Sequence, residues 1–353
     1  MAISLINNDR LRKAASKVAR QAAMKVMPKG LILMYHRIGE PALDPWSLHV
    51  SPKNFQEQME VLQKIAKPTS LRELAQSHKS GKICDRAVAV TFDDGYADNL
   101  YKGKPILERY NIPATFFIAT GHIGKTINFW WDGLQQLLLQ PGRLPEKLTI
   151  NIDGKSYTWD LGTAVDYTES DLQQDKGVKV AESQAGTRLN FYYLVWKTVR
   201  VFPEADILEA MQQIQAWVGR EVLATPEDRS LQPDEILTLG SGELSEIGAH
   251  TVNHPSLAEH PSAYQLKEIQ QSKADLEKLL NRPVTTFAYP YGSFVDETMT
   301  LAEKAGLECA CSTVENVVWF RSQTYRLPRF HVHDWNGEEF AAEIDKWFKG
   351  QLD

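Results

Sequence analysis

Apolar residues along this chain fall into short continuous runs separated by amphipathic stretches. Leu31–Tyr35 is such a run and reads as a buried strand, with His36 at its end. Phe55, Met59, Leu62 and Ile65 follow at helical spacing, and Leu71–Ala75 continues as a second short helix. Ala87–Phe92 is rich in β-formers and ends in a polar cluster, Asp93-Asp94-Gly95-Tyr96. A helix over Asn99–Tyr110 and a buried strand over Ala114–Ala119 come next. Strands alternating with helices at this spacing predict a parallel sheet. The rhythm changes over 125–239, where Asp153-Gly154 marks a hairpin and helical periodicity returns in Phe191–Phe202 and Ala205–Val218. The βα rhythm resumes at Leu244–Ala249, ending in His250, and at Thr285–Tyr289, ending in Pro290-Tyr291-Gly292. The pattern predicts an α/β fold over 30–124 and 240–335. It is interrupted by a long, mostly helical insertion at 125–239 and closed by a helix over 336–353. There is no internal repeat.

Composition narrows the class. With 353 residues, 43% hydrophobic and 24% charged, the chain has ordinary globular usage, which excludes a fibrous or mostly disordered protein. Lys and Arg number 39 against 45 Asp and Glu, a net charge of −6, so no nucleic-acid partner is expected. No apolar run approaches the ~20 residues of a membrane-spanning helix. Three cysteines, Cys84, Cys309 and Cys311, cannot build a disulfide framework and are read as reduced and structural. Residues 1–29 lack the apolar core of a secretory signal and carry seven Lys or Arg against one acid, Asp9. Leu11, Ala14, Ala15, Val18 and Ala22 recur there at helical spacing. A basic amphipathic helix of this kind either packs on its own domain or lies, through residues 10–29, on an anionic membrane surface. The expected location is cytoplasmic, with association at the inner membrane face.

The chemistry sits at strand ends. Asp93 and Asp94 are adjacent carboxylates that repel, so one of them needs a proton or a cation. His250 and His254 stand four apart after a second apolar strand, and two imidazoles at that spacing can converge on one ion. With one carboxylate they make a two-His, one-carboxylate set that leaves positions open for water and substrate. Taken singly, an Asp pair can be a turn or helix cap, and His-x-x-x-His a surface helix pair. Both follow apolar strands here, next to Gly95 and Gly248, which favours a metal site.

These residues carry a resemblance. Thr91-Phe92-Asp93-Asp94-Gly95-Tyr96, His250-Thr251-Val252-Asn253-His254-Pro255 and Tyr289-Pro290-Tyr291-Gly292 resemble the first three motifs of the polysaccharide deacetylases, the NodB-homology group. Leu33-Met34-Tyr35-His36 resembles that group's last motif. Its early position is similar to the circularly permuted arrangement of exopolysaccharide deacetylases. The resemblance implies a distorted (β/α)7 barrel with one divalent ion at its mouth: zinc first, with iron, nickel or cobalt also suited to the ligands. It implies Asp94, His250 and His254 as metal ligands and Asp93 as base for an attacking water. The backbone N–H of Tyr291 would serve as oxyanion donor. One position departs from the pattern: Ala288 stands where the family carries an arginine that holds the catalytic aspartate. Arg329, in Arg326-Leu327-Pro328-Arg329, is the expected replacement. His36 is the expected general acid, with His331 and His333 as competitors. Tyr96, Tyr289 and Trp335 are the expected substrate contacts, and Trp130 and Trp131 could also stack on sugar rings.

The function implied is an N-deacetylase acting on an N-acetylated amino sugar, in a polysaccharide or a lipid-linked glycan precursor. An amidohydrolase for a small non-sugar amide is the alternative within the same chemistry. A non-catalytic carbohydrate-binding module is the reading from a different class. An aromatic groove would favour the sugar, an enclosed pocket the small amide.

Overall fold

Seven parallel strands carry the site, and each follows from an apolar run. They are β1 (Gly30–Tyr35), β2 (Ala87–Phe92), β3 (Ala114–Ile118), β4 (Ser245–Ala249), β5 (Thr286–Ala288), β6 (Cys309–Cys311) and β7 (Phe330–His331). This computed structural model describes residues 27–125, 129–223 and 228–351. The helix expected over residues 1–29 lies up to residue 26 outside the described residues, and residues 27–29 are not helical. The first three strands are buried along their whole length, as strands covered on both faces must be.

The spatial order is β6-β5-β4-β3-β2-β1-β7, every neighbouring pair parallel. A short eighth strand, Lys67–Pro68, pairs with the start of β2. The ring closes through Leu327, whose N–H donates to Ala310 and whose carbonyl accepts from Ser312. Three residues further on, β7 pairs with β1. The result is a (β/α)7 barrel, distorted because its last strand is two residues long. At Gly248 in β4 an added Cβ would lie 2.5 Å from the Phe117 ring, so only glycine lets these two strands pack.

Helices cover the outside, among them α1 (Pro52–Ile65) and α2 (Leu71–Lys79), each started by a serine that caps a free N–H. The helix expected over Asn99–Tyr110 begins instead as a wide π-type turn, Asn99–Gly103, before regular helix over Lys104–Arg109. The wide turn lets Asn99 donate to the backbone carbonyl of His36 at 2.9 Å. The chain closes with a helix over Gly337–Phe348, packed on α1.

Residues 129–223 contribute a helix at Trp130–Leu138, an antiparallel hairpin joining Lys147–Ile152 to Lys155–Asp160, and helices at Arg188–Val199 and Glu204–Val218. They bury their own apolar cluster, including Leu134, Leu148, Tyr192, Val195 and Ile214. The chain then returns and clamps the Asp93–Tyr96 turn: Ala97 N–H donates to Arg229, and Leu231 N–H to Gly95, both at 3.0 Å. No helix among the described residues is long and apolar enough to cross a membrane. Cys309 and Cys311 are buried in β6, but Cys84 is exposed, so its expected structural role does not hold.

Candidate active site

The C-terminal ends of parallel strands converge at one mouth of the barrel, where βα loops can gather side chains from distant segments. The ladder runs one residue past each strand: Asp93 N–H donates to Tyr35, and His250 N–H to Ile118. Both side chains are thereby aimed before any loop begins. The backbone beyond is strained. Of nine non-glycine residues with positive φ among the described ones, four lie here: Asp94 (75°), Thr251 (66°), His254 (55°) and Tyr291 (56°). Such conformations persist where surrounding contacts over-determine them. In the His250–His254 turn those contacts come from Glu268, which accepts from Val252 N–H, Asn253 N–H and the Asn253 amide at 2.9–3.0 Å. The two histidines therefore lie on a held turn, not on a helix.

Asp94, His250 and His254 are all buried, and one ligand atom from each lies within 4.8 Å of the others. His250 Nδ1 is 2.7 Å from the Ala288 carbonyl, which can only accept, so that nitrogen carries the proton. Its Nε2 lone pair then faces Asp94 Oδ1 at 3.4 Å, while His254 Nε2 faces the same oxygen at 3.2 Å. Lone pairs converging on a shared point repel unless a cation lies among them. This donor set fits a divalent ion. Burial alone would raise the Asp94 carboxyl, but the imidazoles of His250, His254 and His36 around it outweigh burial and hold the group well below the usual carboxylate range.

Arg329 is fully buried and grips Asp93 through both guanidinium nitrogens at 2.7 Å. Its Nε donates to the Ser312 carbonyl at 2.9 Å and Nη1 also reaches Thr91 Oγ1 at 3.2 Å. Burial would raise the Asp93 carboxyl; the guanidinium overrides it and keeps the group ionised below its ordinary value. Ala288 leaves the position on β5 without a cation, and Arg329 approaches Asp93 from the segment entering β7. His36 Nε2 lies 4.0 Å from Asp93 Oδ2, and burial depresses its pKa against the pull of Asp94 and Asp93. His331 stacks edgewise on His36 with ring centres 5.6 Å apart, and burial pushes its pKa down to about 3. His333 packs instead between His331 and Trp335.

Asp93, Asp94, His36, His250 and His254 floor a cleft of about 400 Å³ that opens to solvent. Its walls include Trp46, Trp131, Trp196, Arg200, Tyr291 and His331. Three expected substrate contacts lie elsewhere. Tyr96 is fully buried: its hydroxyl donates to Asp132 at 2.9 Å and accepts from Trp131 Nε1 at 2.9 Å, under the Arg37 guanidinium. Tyr289 points into the core, its hydroxyl on the Tyr325 carbonyl. Trp335 packs on Trp347 and His333. In each case the apolar ring gains more from burial than from a place at the mouth. Trp130 is buried beside Trp131, which does reach the cleft, its ring 4.7 Å from that of His254. Sequence reasoning missed Trp46, Trp196, Arg200 and Glu268. Glu268 is one acid on a charged helix, Trp196 and Arg200 stand in a stretch whose helical periodicity reads as packing, and Trp46 lies in a turn with no motif around it.

Comparison with known proteins agrees with this geometry. The family model for polysaccharide deacetylases matches residues 80–173 and 193–310, more than half of the chain. A poly-beta-1,6-N-acetyl-D-glucosamine N-deacetylase of Staphylococcus aureus is 24% identical over 300 residues, 84% of this chain and 71% of the relative. Among solved structures, the deacetylase PplD of Streptococcus pyogenes superposes with a TM-score of 0.52 at 19% identity, over 90% of this chain and 99% of that one. IcaB from Ammonifex degensii gives 0.50 at 16% identity, over 91% and 97%. These two likenesses establish the barrel fold. Matched along most of its barrel and carrying the family's motifs at the barrel mouth, the chain belongs to the polysaccharide deacetylase family, enzymes that hydrolyse carbon–nitrogen bonds as N-deacetylases.

Proposed function

We propose that the protein is a divalent-metal-dependent N-deacetylase that removes the acetyl group from an amino sugar in a polysaccharide or lipid-linked glycan precursor. One observation carries the reading: Asp94, His250 and His254 converge beside an Arg329-held Asp93 at the floor of an open, tryptophan-walled cleft. A divalent ion held by the three ligands, zinc by first choice, would polarise the acetyl carbonyl and acidify the attacking water. Asp93, kept ionised by Arg329, accepts that water's proton. His36 Nε2, 4.0 Å from Asp93 Oδ2, stands where it can pass a proton to the leaving nitrogen, which an amide requires. The Tyr291 N–H, set by its left-handed backbone, serves as a donor to the developing oxyanion.

The open cleft supports a sugar over a small amide, which would call for an enclosed site. The Staphylococcus relative is named for poly-β-1,6-N-acetylglucosamine, so that polymer heads the panel. Metal-loaded enzyme is assayed for acetate release from N-acetylglucosamine oligomers, lipid-linked N-acetyl sugars and simple acetamides, with Asp93→Asn as control. Acetate is expected from a saccharide and not from the variant. Release from acetamides alone would replace the sugar reading with the small-amide one.

A further inference from the structure

Arg200 differs from the other arginines drawn into this molecule. Arg37 meets Asp98 and Asp228, Arg229 meets Glu235, and Arg329 meets Asp93. Arg188 spends its guanidinium on backbone carbonyls. Arg200 caps the helix Arg188–Val199 and reaches the cleft with no carboxylate against it among the described residues. Its Nη1 donates to the fully buried Ser256 hydroxyl at 3.0 Å, and its Nε is buried without a partner. The guanidinium lies 5.1 Å from the Trp196 ring and 5.7 Å from the Tyr291 ring, so its plane is held in advance. An unpaired, pre-oriented cation at a cleft wall is a site for an oxyanion.

Neighbouring geometry places that site relative to the chemistry. The Tyr291 ring stands between Arg200 and His254, 4.5 Å from the latter. Trp196 continues the wall to Trp46 at 4.1 Å, and Trp46 is fixed by donating to the Tyr192 hydroxyl at 2.7 Å. Asp93, these rings and Arg200 line one cleft, so a saccharide with its acetamide over Asp93 would extend along the wall that carries Arg200. The two acids on the cleft floor do not cancel this attraction, since Arg329 neutralises Asp93 and a divalent ion held by Asp94 and the two histidines would offset Asp94.

We propose that Arg200 recognises an anionic group, a carboxylate or phosphate, borne by the substrate beside the N-acetylated sugar. The enzyme's preferred substrate is then an acidic or phosphate-linked saccharide rather than a neutral one. This rests on the deacetylase reading and adds the substrate's charge to it.

The test compares kcat/KM for neutral N-acetylglucosamine oligomers with oligomers carrying a uronate and with oligomers carrying a terminal phosphate. Calorimetric affinity is measured for the same compounds. Wild-type enzyme should favour at least one acidic series by about tenfold to a hundredfold, the worth of a charge-assisted hydrogen bond. The series preferred tells a carboxylate from a phosphate. The preference should shrink with salt, collapse in Arg200→Gln and survive in part in Arg200→Lys. Equal efficiency on neutral and acidic series in wild type would overturn the proposal, with no variant needed. So would an acidic preference unchanged in a folded Arg200→Gln protein. Arg200-dependent binding of acidic saccharides without acetate release would overturn the deacetylase reading alone.

Discussion

Asp93 is a buried carboxylate whose charge is matched by a single side chain. Removing that side chain leaves an uncompensated ion in the core, which costs more than the pair itself contributes. Arg329→Met is therefore expected to lower stability by about 3–5 kcal/mol in urea unfolding at neutral pH. A loss under about 1 kcal/mol would mean that Asp93 takes up a proton or water at little cost. His36 is held differently, by the Asn99 amide on its own carbonyl, with its Nδ1 buried and unpartnered. His36→Ala should lose on the order of a hundredfold in turnover while metal content stays normal. Near-normal turnover in that variant would transfer the proton-donor role to His331, whose ring shares the cleft.

At the scale of elements, turns decide whether the strand ends become a site. The His250–His254 turn depends on Glu268 from the helix Ser262–Leu280, which satisfies two backbone N–H groups that the turn leaves open. Glu268→Gln exchanges an acceptor oxygen for a donor there and should weaken metal affinity by about tenfold, measured by competition with a chromogenic chelator. Unchanged affinity would show that backbone contacts suffice. The Asp93–Tyr96 turn depends on the returning segment at Arg229–Leu231. Arg229 forks onto Glu235 at 2.7 Å and, outweighing burial, holds its carboxyl down at about 2 from an ordinary 4.5. A depressed folded pKa stabilises above the unfolded value and is lost as pH falls through the folded one. Wild type should exceed Glu235→Gln by on the order of 1 kcal/mol near pH 6, a figure reduced for solvent around Arg229. The gap should narrow near pH 3, and a constant gap would place the fork's contribution outside ionisation.

At the scale of the whole molecule, the three proposed ligands come from two segments, so an ion held by them would tie its binding to folding. Protein loaded with its ion should melt higher than chelated protein, by an amount that grows with free metal. His250→Ala should hold about one ion fewer per chain than wild type by elemental analysis. Equal metal content would remove the centre from Asp94, His250 and His254.

Much of this was legible in the order of residues, and the boundary has a physical origin. Hydrophobic runs of four to six residues bounded by polar clusters report buried parallel strands directly, because both faces of such a strand are covered. Leu31–Tyr35, Ala87–Phe92 and Ala114–Ala119 were readable for that reason, each within a residue of its observed bounds. Asp94, His250 and His254 could be picked out because strand ends sharing a direction must share a mouth. What lies across the sheet was not local. Arg329 could be named from the sequence as the cation for Asp93, but the contact itself forms only because the segment entering β7 closes the ring between β6 and β1. Tyr96 and Tyr289 stand in or beside the motifs yet turn inward, since side-chain direction at a strand end follows register and packing rather than spacing. Of the cleft's walls, Trp196 and Arg200 come from a helix whose own apolar pattern describes a separate cluster, and Trp46 from a turn packed against that cluster. Which of their side chains faces the barrel was decided when that cluster docked over the mouth, a contact that no periodicity along the chain records.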